Sequence, residues 1–543
     1  MNAPKFSSTF ALVFAAIALM GCKVTAEDVS YWKRTVKGPG KIVAVILADR
    51  YELELRTAAA VALVEMDGRD DVDGVELLQQ AMQRLSRTDR ETATAIVNGM
   101  TPNMLEMMEA GEAGRDENLG PPLIQIRAKD AAYTLIPYAN GEQRNQLVTG
   151  VVGWYAKDFA NRSLSGNYSV EQVVRALGAP AAQQLVQAMT FRMPQRAMVK
   201  VAELIGQIGN DETKEQAGQR LVQLETQMES DDMGEDSFLG WMKSEISASL
   251  EDAGRPNDDA RVTAIALNNR ESFIVTGALP AMKHLASVDA VRNRLLEIAL
   301  RAPTEGMNPQ LTEAIQLRRT TALLALDGNA TEAQLPRLLD LALTDTAVQD
   351  VAFDRIADIR SAAAIPRLWP MFQNAANEDL PKRQRWRAGE LILALGGADV
   401  VAEFLNKLPA EAGAQFEPNE LEGYATKMSQ MSRPPTATVE ALLSAREWYK
   451  RVIALRFIER RGTAADIPRM ERLKNDRTEL AGTGWAGREL ATVGDVAENA
   501  IAALRERLAA PATGSASSMG ASSMGSAAMG GAAMDAAMGG GGE

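Results

Sequence analysis

The sequence predicts an all-α fold built from pairs of antiparallel helices, and three observations support it. Apolar residues recur at helical spacing from residue 41 to about residue 509, with no clear alternation of the kind that marks strands. Aromatic residues make up only 5% of the chain, while Ala and Leu, which favour helices, are frequent. Short segments also resemble one another along the chain, which is typical of helical repeats.

The amino terminus has the pattern of a secretory signal peptide over residues 1–21. Lys5 is its only charge, and an unbroken apolar run of 11 residues extends from Phe10 to Met20. A helix needs about 20 apolar residues to span a bilayer, so the run is too short for a permanent span. We therefore expect the segment to be removed.

The signal ends in Leu19-Met20-Gly21-Cys22, and Cys22 is the only cysteine of the chain. This tetrapeptide resembles the lipobox of bacterial lipoproteins, in which Met at the second position is a tolerated departure from a small residue. The resemblance implies cleavage before Cys22 and lipidation of its thiol, with residues 22–40 as a lipidated linker. Lys23 stands where similar Gram-negative lipoproteins carry an inner-membrane retention Asp, which implies the outer membrane. The alternative is an incidental thiol.

The remaining chain predicts repeated helix pairs. Among the first helices, residues 56–63 (RTAAAVAL) match residues 319–326 (RTTALLAL), and residues 127–135 (RAKDAAYTL) form a looser copy. Their small residues suit a close crossing of two helices. The run KIVAVILA (41–48) is the one candidate strand, but its Ala content and the lack of a hairpin partner predict a helix.

The second helices share a start signal, since Pro is favoured in the first helical turn. An aliphatic residue precedes Pro336, Pro366 and Pro468, and more weakly Pro280, while Val401 occupies the same place without a proline. This pattern resembles HEAT-type α-solenoid repeats, including the short class of the phycobilin-lyase-like group, over residues 41–510. The resemblance implies a superhelix whose concave surface binds other proteins.

Two segments depart from the repeats. Residues 409–436 fall in a gap of two repeat lengths, and they are either an inserted recognition element or an irregular repeat. Residues 511–543 contain little but Ala, Gly, Ser and Met, so we expect a disordered tail. The tail thioethers could bind Cu(I), or they have no task in a low-complexity linker. They belong to Met519, Met524, Met529, Met534 and Met538.

Composition narrows the possible chemistry. The single histidine, His284, cannot build a multi-histidine metal cage and is expected on a helix surface or as a satisfied core residue. The net charge of −13 gives no general attraction to nucleic acid. The basic run 382–387, which includes Trp386, could grip phosphate, but it is more typical of a solvated helix face. We expect no nucleic acid, metal or cofactor.

Residues 69–80 (RDDVDGVELLQQ) superficially match a calcium-binding loop, yet Arg69 and Gln80 occupy the positions that need carboxylates. Asp71 and Asp73 are therefore expected to cap the following helix. Met100, Met104, Met107 and Met108 have helical spacing and are expected in the core.

The sequence favours a non-catalytic, lipid-anchored scaffold of the bacterial envelope that binds envelope proteins and attaches to the membrane through Cys22. Two alternatives stay open. One is a small-ligand-binding protein or lyase-like enzyme that uses the solenoid groove, which a deep pocket with convergent carboxylates would favour. The other is Cu(I) handling by the tail.

Overall fold

A computed structural model describes residues 24–66, 72–111, 120–373, 382–408 and 415–509. These residues form two compact units with a boundary between Ala364 and Ile365. Within the described ranges the secondary structure is helical, apart from one isolated bridge between Glu479 and Thr492. The all-α prediction is confirmed. Cys22 and the tail beyond residue 509 lie outside the described residues.

The first unit contains nineteen described α-helices. In chain order they are α1 Ala26–Trp32, α2 Gly38–Leu47, α3 Leu53–Glu65, α4 Gly74–Thr88, α5 Arg90–Glu109, α6 Leu123–Leu135, α7 Gly141–Lys157, α8 Phe159–Arg162, α9 Val170–Leu177, α10 Ala179–Ala188, α11 Gln195–Ile208, α12 Asp211–Glu229, α13 Phe238–Asp252, α14 Asp259–Phe273, α15 Leu279–Lys283, α16 Asp289–Leu300, α17 Pro309–Ala325, α18 Leu335–Thr344 and α19 Gln349–Ile359. A π-helical segment, Ile274–Ala278, joins α14 to α15.

The described helices of the second unit continue the numbering. They are α20 Ile365–Gln373, α21 Lys382–Gly396, α22 Val401–Lys407, α23 Pro418–Gln430, α24 Thr436–Glu440, α25 Trp448–Arg461, α26 Ile467–Glu471 and α27 Val493–Ala509. Short 3₁₀ turns precede several of them, at Gly397–Val400, Ala441–Ser444 and Ala464–Asp466.

Helices that are close in chain order pack on one another, which is the packing pattern of a solenoid. In the first unit α3 packs on α5, α5 on α7, and α10 on α12. In the second unit α21 packs on α23, α23 on α25, and α25 on α27. Each layer therefore buries its apolar side chains against the layers before and after it, as the repeat pattern predicts.

The proline signal marks helix starts in the structure. Helices α18, α20 and α26 begin at Leu335, Ile365 and Ile467, each directly before its proline. The segment at Leu279 is different, because α15 continues from the π-helical segment without an intervening turn. The prediction for the start of the second helices is thus confirmed at three sites.

The segment 409–436 holds a packed helix, α23, in its described part. Leu421 and Tyr424 of α23 are fully buried, and the helix lies between α21 and α25. Phe416, before the helix, is also fully buried. The described part of this segment therefore packs as a helix of the stack, as an irregular repeat would, and a recognition role for the segment stays a prediction.

At the amino terminus, α1 lies within the stretch expected to be a linker, and it packs on α2 and α3. The run KIVAVILA belongs to α2, where Ile42 and Ile46 are fully buried, so the prediction of a helix is confirmed. Among the described helices, none combines the length and apolar content needed to cross a bilayer.

The arginine of the first-helix motif is buried and binds the end of an earlier helix. In α3, Arg56 Nε donates to the carbonyl of Ile46 at 2.9 Å, and in α17, Arg319 Nε donates to the carbonyl of Ala299 at 2.7 Å. The last four carbonyls of a helix have no partner within it, and their partial negative charge favours a cation. Each motif arginine thus donates a hydrogen bond to the carboxyl-terminal end of the helix before it.

The same contact recurs in other layers. Arg127, in the looser copy of the motif, donates to the carbonyl of Met66 just after α3. In the second unit, Arg507 of α27 donates to the carbonyls of Glu459 and Gly462 at the end of α25. Arginines that donate to the carbonyls of helix ends are therefore a recurring contact of this fold, buried at Arg56 and Arg319, half-buried at Arg127 and exposed at Arg507.

A cluster of glutamates and arginines joins α12 to α16 and α17. Glu229, at the end of α12, accepts hydrogen bonds from Arg294 (2.6 Å), Arg301 (2.6 Å) and Arg318 (2.9 Å). One turn earlier, the fully buried Glu225 accepts a hydrogen bond from Arg294 Nε at 2.7 Å. We call these five residues the arginine hub.

The two glutamates of the hub have opposite pKa shifts. Burial would raise the pKa of Glu229, but the hydrogen bond from Arg301 and the three nearby guanidinium charges outweigh burial, so its pKa lies below the usual value. Burial raises the pKa of Glu225 above the usual value in spite of its bond to Arg294. The contributions of Glu225 and Glu229 to the free energy of unfolding should therefore change with pH in opposite directions.

We predict that Arg319→Lys lowers the free energy of unfolding by about 2 to 4 kcal/mol, because lysine lacks the planar fork that binds both the Ala299 carbonyl and Asp345. Chemical denaturation measures this loss. Arg337→Lys, at an exposed arginine of α18, is the matched control and should cost less than about 0.5 kcal/mol. Equal losses in the two variants would contradict a special role for the buried arginine.

We predict that Glu229→Gln and Glu225→Gln change stability with opposite pH trends between about pH 3 and pH 7. Glu229 has a lowered folded-state pKa, so its contribution is present above the unfolded-state pKa and is lost as the pH falls. Glu225 has a raised folded-state pKa, so its contribution is lost as the pH rises.

The measurement is the free energy of unfolding of wild type and both variants at several pH values. The deficit of Glu229→Gln should grow toward pH 7 and that of Glu225→Gln should shrink. The exposed Glu235→Gln variant is the control and should show little trend. Parallel trends for Glu225→Gln and Glu229→Gln would refute the assignment.

Candidate functional site

A groove of about 590 Å³ lies on the described surface of the first unit, formed by α1, α3 and α5. We call it the N-terminal groove. It is lined by Ala26, Val29, Ser30, Lys33, Leu53, Glu54, Thr57, Ala58, Val61, Ala62, Glu65, Ala95, Gly99 and Asn103. Most of these residues are small or aliphatic, so the groove has an apolar floor.

Helical spacing explains why these residues share one surface. Ala26, Val29, Ser30 and Lys33 recur three and four residues apart, so they lie on one side of α1. The same spacing relates Leu53, Thr57, Ala58 and Val61 on α3. The motif RTAAAVAL of α3 therefore has two faces, one buried in the layer and one open to the groove.

Small side chains allow the helices that form the groove to approach closely. A Cβ placed on Gly99 of α5 would lie 3.1 Å from the Thr57 Cγ2 atom of α3, which is tighter than ordinary van der Waals contact. On the other side of α3, Ala59 and Ala60 are fully buried. The predicted close crossing of helices at these small residues is observed.

Charged and apolar side chains mark the rim of the groove. Lys33 of α1 and Glu65 of α3 form an ion pair at 2.5 Å. Glu54 is exposed, and Leu53 beside it leaves 44% of its surface open to solvent. The groove thus combines an apolar floor with charges at its edge, as the core and rim of a protein-binding surface do.

A second depression of about 670 Å³ lies in the second unit, at the ends of α21 and α23. Its lining is more polar and includes Asp399, Lys427 and Arg433. Gly397, in the turn beside it, has a φ of +59°, a conformation that glycine adopts without strain. This depression could hold a small anionic ligand between its two cations.

The residues singled out in the sequence are dispersed in the structure. His284 follows α15 and is exposed over part of its surface, and burial of the remainder lowers its pKa. Asp73 caps α4, accepting hydrogen bonds from the backbone N–H groups of Val75 and Glu76, as predicted. Met100, Met104 and Met108 of α5 are buried, and Met107 is half-buried.

The basic run at 382–387 was predicted as a solvated face, and the prediction is wrong for its described side chains, which are buried or half-buried from residue 384 to residue 387. Arg385 is buried and donates from Nε to Glu420 at 2.6 Å, and its guanidinium lies over the Phe416 ring at 4.3 Å. Trp386 is half-buried in the same helix. Arg385 therefore stabilises the contact of α21 with α23 and is not available to grip phosphate.

Sequence reasoning also missed a buried lysine. Lys129 of α6 is fully buried, lies beside Asp130, and donates to the carbonyls of Ser165 (2.9 Å) and Tyr168 (3.0 Å). Burial lowers the pKa of Lys129, and the adjacent Asp130 counteracts that effect. All three of its N–H groups are engaged, so this lysine holds the loop before α9 in place. The sequence RAKDAAYTL did not indicate that this lysine is buried and fully hydrogen-bonded, because two of its three acceptors are backbone atoms.

A metal site needs several ligating side chains close together. In the ranges that the structure describes, no three His, Cys, Asp or Glu side chains are grouped in a way that could hold an ion. Cys22 and the tail methionines lie outside those ranges, so the predictions of lipidation and Cu(I) binding stay predictions.

Comparison with known proteins adds little. No family model matches the sequence, and no curated protein matches it. Among solved structures, the crystal structure of Kap121p bound to Ste12p is similar at 12% identity, over 92% of this chain and 51% of that chain, with a TM-score of 0.25. The chain thus spans about half the length of that structure. At this TM-score the likeness carries no argument, and the solenoid packing follows from the helices themselves.

Proposed function

We propose that this protein is a non-catalytic scaffold of the bacterial cell envelope that binds a partner protein in the N-terminal groove. The groove is the observation that carries the proposal. Its floor is apolar and open, and its edge carries the ion pair of Lys33 and Glu65.

The lining suits an amphipathic helix or an extended segment of the partner. Ala58, Ala62, Ala95 and Gly99 have small side chains, so larger apolar side chains of a partner fit between the helices. Leu53 at the rim adds apolar surface that binding would remove from water. Such grooves on stacked helical repeats are a common way to hold protein segments.

The proposal also includes a lipid anchor at Cys22, supported by the signal pattern and by the resemblance of Leu19-Met20-Gly21-Cys22 to a lipobox. Each buried methylene of an acyl chain contributes about 0.8 kcal/mol, so two or three chains hold a protein stably on a membrane. The first described helix begins at Ala26, four residues after the anchor. The groove would then lie close to the membrane surface. Lys23, which stands where an inner-membrane retention signal would have Asp, favours the outer membrane.

A second candidate function rests on the depression of the second unit. Lys427 and Arg433 both line it, and two cations around a polar hollow suit a small anionic ligand. This corresponds to the small-ligand alternative of the sequence. Isothermal titration with inorganic phosphate and with acetate tests it, and loss of binding in Lys427→Gln would support it.

We predict that Ala58→Arg abolishes capture of the partner, since the long charged side chain would fill the groove that α1, α3 and α5 form. The measurement is crosslinked affinity purification from detergent-solubilised envelopes, with quantitative mass spectrometry. Ala248→Arg, at an exposed position of α13, introduces the same side chain away from the groove and should capture the partner as wild type does.

Circular dichroism and thermal unfolding of both variants establish that they fold. A protein captured equally by wild type, Ala58→Arg and Ala248→Arg would not bind the groove. If no protein is captured in smaller amount by Ala58→Arg than by Ala248→Arg, the groove is not the binding site.

We predict that Cys22→Ala prevents attachment to the membrane, because the only thiol that could carry acyl chains is then absent. Metabolic labelling with an alkyne fatty acid should mark wild type and leave Cys22→Ala unmarked. Fractionation should move the variant out of the membrane pellet. Label retained on Cys22→Ala would refute lipidation at this residue.

A further inference from the structure

The corner between α1 and α2 presents the most exposed large apolar side chain found in the described residues. Val36 leaves 87% of its surface open to solvent, and Tyr31 leaves 69% open. Trp32, between them in sequence, is half-buried. Two exposed and one half-exposed apolar side chains within six residues thus leave apolar surface in contact with water.

This corner is held in shape by its own backbone. The carbonyl of Trp32 accepts hydrogen bonds from the backbone N–H of Thr35 at 3.1 Å and from its hydroxyl at 3.2 Å, and Gly38 N–H donates to the Thr35 carbonyl at 3.0 Å. A Cβ on Gly38 would lie 1.8 Å from the Trp32 carbonyl oxygen, so only glycine fits there. Val36 is therefore presented outward by a defined turn.

The corner is also strongly basic within an acidic protein. Residues 31–41 (YWKRTVKGPGK) contain four cations and no carboxylate, although the whole chain has a net charge of −13. Arg34, Lys37 and Lys41 are exposed, while Lys33 pairs with Glu65. Lys41 Nζ also lies 5.1 Å from the centre of the Trp32 ring, which places charge beside the aromatic surface.

The corner and the N-terminal groove use different sides of α1. Ala26, Val29, Ser30 and Lys33 line the groove. Tyr31 is rotated away from that side, since successive residues of a helix turn by about 100°. A ligand of the corner would therefore leave the groove free.

We propose that this corner docks onto an anionic phospholipid surface. Exposed Trp and Tyr side chains favour the membrane interface, and Lys and Arg near an anionic surface are attracted to it. The position of the corner rests on the proposed lipid anchor: Ala26 is the fourth residue after Cys22, a reach of at most about 14 Å. The anchor and the corner would then act as two membrane signals, with the corner fixing which side of α1 faces the lipid.

The test uses the chain from residue 22 onward with Cys22→Ala, which keeps every described residue and carries no acyl chain. The probes are vesicles of phosphatidylcholine alone and vesicles containing one third phosphatidylglycerol, in a sedimentation assay at low and high salt. We expect binding to the phosphatidylglycerol vesicles alone, weakened by salt.

Removing the charges Arg34, Lys37 and Lys41 by substitution with Gln should weaken vesicle binding at least tenfold. The matched control replaces Arg84, Arg87 and Arg90, which are exposed in the same unit, and should bind as the parent does. For the apolar part, Val36→Ser should weaken binding several-fold, while Leu164→Ser, at a leucine that is 83% exposed, should not.

Three results would overturn the proposal: no binding to either kind of vesicle, equal binding to both kinds, or equal losses in the corner variants and their controls. The first would leave an acidic protein surface as the ligand of the corner. These outcomes do not depend on lipidation or on the groove, so failure of the corner and failure of the proposed function are distinguishable.

Discussion

Buried arginines that bind the ends of neighbouring helices are the interaction on which the stacking of this protein depends. A short helix leaves its last carbonyls unpaired, and stacking such helices in layers buries those carbonyls away from water. The buried Arg56 and Arg319 each donate to a carbonyl at a helix end, and the half-buried Arg127 makes the same contact. The arginine hub around Glu229 extends the same principle, with carboxylates in place of carbonyls.

Much of the fold could be predicted because helix starts and apolar spacing are local in sequence. Pro336 and the aliphatic residue before it sufficed to place the start of α18. The contacts of the arginines could not be predicted, since each acceptor is a backbone atom or a side chain distant in sequence. Arg385 is an example. The run of basic residues that contains it predicted a solvated helix face, but Arg385 binds Glu420, which lies 35 residues away in sequence.

The candidate site was only partly visible in the sequence. The motif RTAAAVAL predicted a close crossing of helices, and one part of α3 crosses its neighbours closely, while Ala58 and Val61 of the same motif line an open groove. Which small residues stay open depends on where α1 and α5 lie, and this follows from tertiary packing. The packing of α23 between α21 and α25 was likewise not visible in the sequence of residues 409–436, for the same reason.

The groove and the basic corner of α1 together suggest a protein held against a membrane by one surface while another binds a partner. Hydrogen–deuterium exchange of the protein alone and with its captured partner shows whether the partner binds in the groove. Binding there should slow exchange in Leu53–Glu65 and Arg90–Glu109 and leave the second unit unchanged. Slower exchange confined to other helices, with these two unaffected, would contradict binding in the groove.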